Sequence, residues 1–144
     1  MTRYVHFTIP GEPQGKGRPR FTRIGRAYTP GRTAAYESIV RACYWAQVER
    51  GYIPKEPWPK ETPLCVTIDA VFAPAKSTPK KRLEKMLAHI IRPTKKPDWD
   101  NIGKIVCDSL NGLAYYDDSQ ITTAHVYKRY GPEPYVEVSI SEDL

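Results

Sequence analysis

Proline and glycine divide this chain more firmly than any other feature: fourteen prolines and nine glycines stand in 144 residues, most of them in three clusters. The first runs from Gly11 to Arg32 (GEPQGKGRPRFTRIGRAYTPGR) and holds five glycines and, with Pro10, four prolines. That density admits no regular element and predicts a long flexible loop of the kind that carries function. The second, with Pro54, Pro57, Pro59 and Pro63, reads as an extended link. The third, Gly131-Pro132-Glu133-Pro134, reads as a tight hairpin connection.

Only short elements fit between these breaks. Tyr4 to Pro10 alternates apolar and polar residues and predicts a strand, as does Leu64 to Phe72, where Val66, Ile68, Ala70 and Phe72 share one face. Tyr36, Ile39, Val40, Cys43, Tyr44 and Val48 recur at helical spacing over about 34–50, with Thr33 as cap and Gly51 as stop. Thr78-Pro79 opens a short basic helix to about Ile90. A third helix is predicted from near Asp100 to Leu110, ended by Asn111-Gly112, with Ile102, Ile105, Val106, Ser109 and Leu110 on one side. Ile121 to Tyr130 and Tyr135 to Ser141 complete the pattern as two hairpin strands. The order β-α-β-α-α-β-β predicts an α+β fold with a mixed or largely antiparallel sheet packed by helices, in a single domain over 1–144.

Chemistry concentrates in one stretch, Lys96 to Ile121, KPDWDNIGKIVCDSLNGLAYYDDSQI, whose 26 positions hold five of the sixteen acidic residues. Asp98 and Asp100 flank one residue, Lys104 follows one helical turn later, and Asp117 and Asp118 come after the turn at Gly112. Carboxylates this dense repel one another unless a cation offsets them. Asp98 just before a helix and Asp100 in its first turn would lie by the positive helix end, where anions are stabilised. With Asp118 returning from a strand start, three carboxylates would suit a hard divalent ion that takes oxygen ligands. Either acidic pair alone also reads as a helix cap or a turn. A calcium loop fits at Asp98, Asp100 and Gly103 but fails at Ile102, and at Ser109, where a bidentate Glu is needed. A D-x-D sugar-nucleotide motif would need a donor-binding domain for which the chain has little room.

The net charge of +6 conceals a partition. Residues 15–32 carry Lys16, Arg18, Arg20, Arg23, Arg26 and Arg32 without an acid, and residues 76–96 carry eight basic residues, Lys95 and Lys96 among them, against Glu84 alone. These blocks hold 14 of the 22 basic residues, leaving 8 basic against 15 acidic elsewhere. Such blocks suit a polyanion, because phosphate neutralisation supplies most non-specific nucleic-acid affinity. Phe21 and Tyr28 among the arginines add stacking surface. Cys43, Cys65 and Cys107 lack metal-type spacing and read as small buried thiols. No apolar run approaches the roughly eighteen residues that span a membrane, and Met1-Thr-Arg-Tyr leads straight into a strand without a signal-peptide core. These features predict a cytoplasmic protein.

The acidic stretch closely resembles the signature of the RusA family of endodeoxyribonucleases, the Holliday junction resolvases of bacteria and their prophages: K-P-D-x-D-N-x-x-K-x-x-x-D-x-L-N-G, a short gap, then D-D-x-x-I. The resemblance implies a homodimer that binds four-way DNA junctions and nicks two opposing strands with Mg²⁺, or Mn²⁺ in its place. It assigns metal binding to Asp98, Asp100 and Asp118, with Asp117 auxiliary, and an essential role to Lys104. Lys16, Arg18, Arg20, Arg23, Arg26, Lys95 and Lys96 would contact DNA backbone. A DNA-binding protein without nuclease activity and a nuclease for branched DNA in general are the competing expectations.

Overall fold

The computed structural model describes residues 3–17, 20–28 and 31–144, with the backbone alone for Arg20, Ala27 and Tyr28. A four-stranded mixed sheet carries helices on one face. Its strands are β1 (Tyr4–Pro10), β4 (Leu64–Phe72), β5 (Ile121–Tyr130) and β6 (Tyr135–Glu142), in the order β1-β6-β4-β5. The helices are α1 (Gly31–Glu49), α2 (Lys80–Leu87) and α3 (Trp99–Ser109).

Alternation along the strands builds the core. Val5, Phe7 and Ile9 of β1, Val66, Ile68 and Ala70 of β4, and Val136, Val138 and Ile140 of β6 all turn inward. Tyr36, Val40 and Tyr44 of α1 and Ile102, Ile105 and Val106 of α3 close over them. Phe7 meets Tyr44 edge-on at 5.5 Å between ring centroids. Each such side chain, fully buried, stabilises the fold by about 1.5–3 kcal/mol before chain entropy is counted.

Two expectations are corrected. β5 and β6 do not form a hairpin: β4 lies between them, parallel to β5 and antiparallel to β6. Ala70, Val71 and Phe72 are buried in succession, so both faces of β4 are covered at this end, whereas β5 buries only Tyr130 fully and takes the edge. The chain therefore crosses the end of β4, with the Gly131 amide donating to the Phe72 carbonyl at 3.0 Å. A Cβ at Gly131 would stand 2.6 Å from Val71 Cγ1, so only glycine permits this crossing. The loop before α1 is not wholly irregular either, since β2 (Arg20–Phe21) and β3 (Ala27–Tyr28) pair antiparallel in it. Strands of two residues lie below the length at which alternation can be read.

The parallel pair β4–β5 has the most consequence. Parallel neighbours need a long crossover, and here α2 and α3 supply it, laying α3 across β5. A Cβ on Gly103 would meet Val126 Cγ2 at 3.5 Å, an ordinary contact. The acidic segment is thus anchored on the helical face of the sheet. No helix among the described residues is long and apolar enough to cross a membrane.

Candidate active site

Asp98 is the N-cap of α3, with the extended backbone (φ −68°, ψ 152°) that a helix N-cap adopts. Its carboxylate makes no capping hydrogen bond. It pairs instead with Lys96 Nζ at 3.0 Å, in an exposed contact worth little stability. A carboxylate at a cap that does not cap is available for other chemistry. Asp100 follows in the first turn, exposed, and makes no ion pair among the described residues. Both residues thus sit at the positive end of α3, with no side-chain capping hydrogen bond from Asp98.

The second acidic pair divides. Asp117 caps the 3₁₀ turn Asp118–Gln120, its side chain accepting from the Ser119 amide at 3.0 Å while Gln120 reaches back to the Asp117 amide. Those Ser119 hydrogen bonds hold the Asp117 carboxyl below its ordinary range. Asp118 faces the other way. Together with Asp100, Lys104 and Cys107 it lines a cavity of about 300 Å³ floored by Ile68 and Val126. Partial burial first, then the charges of Asp108 and Asp117, push the Asp118 carboxyl above its usual range. The structure thus separates a turn-forming Asp117 from a cleft-facing Asp118.

Asp108 is the residue that the sequence left unassigned. It sits one turn beyond Lys104, whose ammonium lies 3.8 Å away, and beside Asp118. Lys104, one turn after Asp100, makes its ion pair along the helix in the other direction, toward Asp108. Lys16 Nζ lies 3.4 Å from the same Asp108 oxygen and 2.7 Å from Glu37 on α1. Burial alone would lower the Lys16 pKa, but Glu37 and Asp108 together outweigh it and hold the ammonium above its ordinary value. Lys16 accordingly enters the acidic cluster rather than projecting into solvent. The Asp117–Gln120 spacing is a capping-box signature legible in sequence, whereas the Lys16–Glu37–Asp108 triad joins residues too far apart to be.

The other predicted cations are spread. Arg18 and the Arg20 side chain lie outside the described residues, and Arg23 and Arg26 are exposed near the β2–β3 turn. Lys95 and Lys96 are exposed and, with Asp98, Asp100 and Lys128, line a second cavity of about 570 Å³ that adjoins the first. Lys128 fastens this wall: its ammonium donates to the Lys95 and Pro97 carbonyls at 2.6 and 2.9 Å. Burial, with Lys95 and Lys96 nearby, outweighs Asp98 and lowers its pKa. On the open face of the sheet a further cavity of about 360 Å³ contains Asp69 and Arg129. Those charges satisfy each other bidentately at 2.9–3.0 Å. Cys107, which burial pushes up to about 12, is no nucleophile at neutral pH, and Cys43, Cys65 and Cys107 are only partly buried.

A brace from the first loop fixes the whole entrance. The Lys16 amide donates to the Asn101 carbonyl at 3.0 Å, and a Cβ at Gly15 would stand 2.8 Å from Pro97 Cβ and 3.2 Å from Asn101 Cβ. Gly15→Ala must push the loop off α3, costing about 1–3 kcal/mol as overpacking does and lowering the thermal midpoint. An unchanged midpoint in scanning calorimetry would show that the loop yields freely.

The cleft thus sets carboxylates from a helix start and a strand start against a lysine-lined wall. The family comparison is specific: residues 10–141 match the model of endodeoxyribonuclease RusA. The chain is also 36% identical over 141 residues to the uncharacterized protein YqaN of Bacillus subtilis strain 168, covering 96% of each. This chain belongs to the RusA family of endodeoxyribonucleases.

Proposed function

We propose that the chain is a divalent-metal-dependent endonuclease that resolves four-way DNA junctions by paired nicks, acting in recombination and repair in the cytoplasm of a bacterium or under a prophage. The observation that carries this reading is the shared cavity of Asp100 and Asp118, with Lys104 at its side and the Lys95–Lys96 wall next to it. Among the described residues no three acidic, His or Cys side chains gather closely enough to hold a metal unaided. Mg²⁺ characteristically takes only one or two carboxylates, completing its shell with water and substrate phosphate. Two oxygen donors opening on a cationic wall fit that habit, and the elevated Asp118 carboxyl marks a place where positive charge would relieve repulsion.

In this reading Asp100 and Asp118 hold Mg²⁺, with Asp98 at the adjoining cavity as a third donor. The ion, when bound, supplies an activated water and stabilises charge on the phosphoryl oxygens. Lys104 offsets the carboxylates and faces the developing charge. Lys95, Lys96, Arg23 and Arg26, with Arg18 and Arg20, grip backbone phosphates. A junction with two cleavage points pairs naturally with an isologous homodimer presenting two identical clefts.

The reading of the acids as structural meets one obstacle: among the described residues the lysines account for Asp108 and Glu37 but leave Asp100 exposed and without an ion pair. The deciding experiment incubates purified protein with labelled four-way, flap and linear duplex DNA, with and without Mg²⁺. Symmetrical nicks in the four-way junction alone, only with metal, are expected. Equal cutting of flaps would make this a general nuclease of branched DNA, and binding without cutting would leave a DNA-binding protein.

A further inference from the structure

Trp99 stands between the two aspartates at the start of α3 and remains 65% exposed. Single exposed aromatics are common on protein surfaces. This one lines both the acidic cavity of about 300 Å³ and the basic cavity of about 570 Å³, as does its neighbour Asp100. The indole therefore forms the ridge between the carboxylates and the lysine wall.

Among the described residues no aromatic ring or cation stacks on that indole. The aromatic pairs there are Phe7 with Tyr44 and His125 with Tyr127. Trp58, by contrast, is buried beneath the Arg3 guanidinium at 4.1 Å. The mount is nonetheless rigid. Lys128 ties down the carbonyls of Lys95 and Pro97, Gly15 packs against Pro97, and the Lys16 amide holds Asn101. A flat apolar ring held still beside phosphate-binding charges loses little entropy on stacking.

We infer that Trp99 stacks on a base unstacked at the branch point beside the scissile phosphate, and so sets the preference for branched DNA over continuous duplex. The inference rests on the nuclease reading above. In a duplex each base already stacks on its neighbours, and opening it for the indole sacrifices that stacking. At a crossover that cost has been met by the DNA itself. Stacking on an aromatic side chain then favours the junction by about ten- to a hundredfold.

The test needs no catalysis. Junctions carrying iododeoxyuridine at one position at a time across the branch point are bound in EDTA, irradiated, and the cross-linked peptide identified by mass spectrometry. Affinities for junction and for duplex are measured alongside for wild type, Trp99→Phe and Trp99→Ala. Expected are a cross-link at Trp99 from positions next to the crossover, and a fall of tenfold or more in the junction-to-duplex affinity ratio for Trp99→Ala. Trp99→Phe should retain most of the ratio, and duplex affinity should stay unchanged in both variants. A wild type that prefers junctions, with the ratio intact in Trp99→Ala, overturns this inference alone. A wild type with no junction preference overturns the substrate reading and this inference with it.

Discussion

Asp100→Asn and Asp118→Asn are each expected to abolish junction cleavage while leaving junction binding intact or tighter. Both substitutions keep the side chain's size and remove the charge that would hold a cation in the cavity of about 300 Å³. Electrostatic stabilisation by a bound metal is worth several kcal/mol in the transition state, and each 1.36 kcal/mol is tenfold in rate. A loss of about a thousandfold or more is therefore expected in single-turnover assays. Binding moves the opposite way, because one fewer negative charge faces the DNA backbone. Asp118 offers a second readout without metal. Its carboxyl is raised in the folded state, so ionising it at neutral pH costs stability, and that cost is relieved as the pH falls through its folded-state pKa. The Asn variant should unfold in EDTA no lower than wild type. Asp117→Asn is the internal control: asparagine caps as well as aspartate, so most of the cleavage should survive. Normal cutting by both cleft variants would reduce the acids to a structural cluster.

Those contrasts mark where sequence was legible and where it was not. Alternation at Tyr4–Pro10 and Leu64–Phe72, and the Ile102/Ile105/Val106 stripe, are local signals, and the elements they announce are present with ends shifted by three residues at most. Strand order is not local. Gly131 to Pro134 looks like a hairpin loop in isolation, yet it carries the chain across the end of β4, so that β6 pairs with β4 and not with β5. The site divides along the same line. Asp98, Asp100, Lys104 and Asp118 stand at spacings whose meaning the family signature supplies. Lys16 reads as one more cation in a basic loop until the fold lays it between Glu37 and Asp108, which are 21 and 92 positions away. Charge in a sequence is a property of residues; whether it is available to a ligand is a property of what the fold puts beside them.

Lys104 and Lys16 carry that distinction to a testable end. Both ammonium groups approach the same Asp108 oxygen, at 3.8 and 3.4 Å, but Lys104 is largely exposed at the cleft while Lys16 is mostly buried. Lys104→Ala breaks a surface helix pair worth about 0–1 kcal/mol and leaves Lys16 to balance Asp108, so the thermal midpoint should barely move. Junction affinity should stay within a few-fold, one charge among many being lost. The single-turnover rate should fall by about a hundredfold or more, the scale for removing one transition-state donor. Lys104→Arg should restore only part of it, since a planar guanidinium does not replace a compact point charge. Lys16→Met should invert the pattern: it strands Glu37 and Asp108 without their shared cation, so stability falls first and activity follows through the displaced loop. The measurements are single-turnover cleavage of a four-way junction at saturating protein and Mg²⁺, paired with thermal unfolding of each variant. Near-normal cleavage by Lys104→Ala would make Lys104 an ordinary helix-surface residue and shift charge neutralisation in the cleft to Lys16.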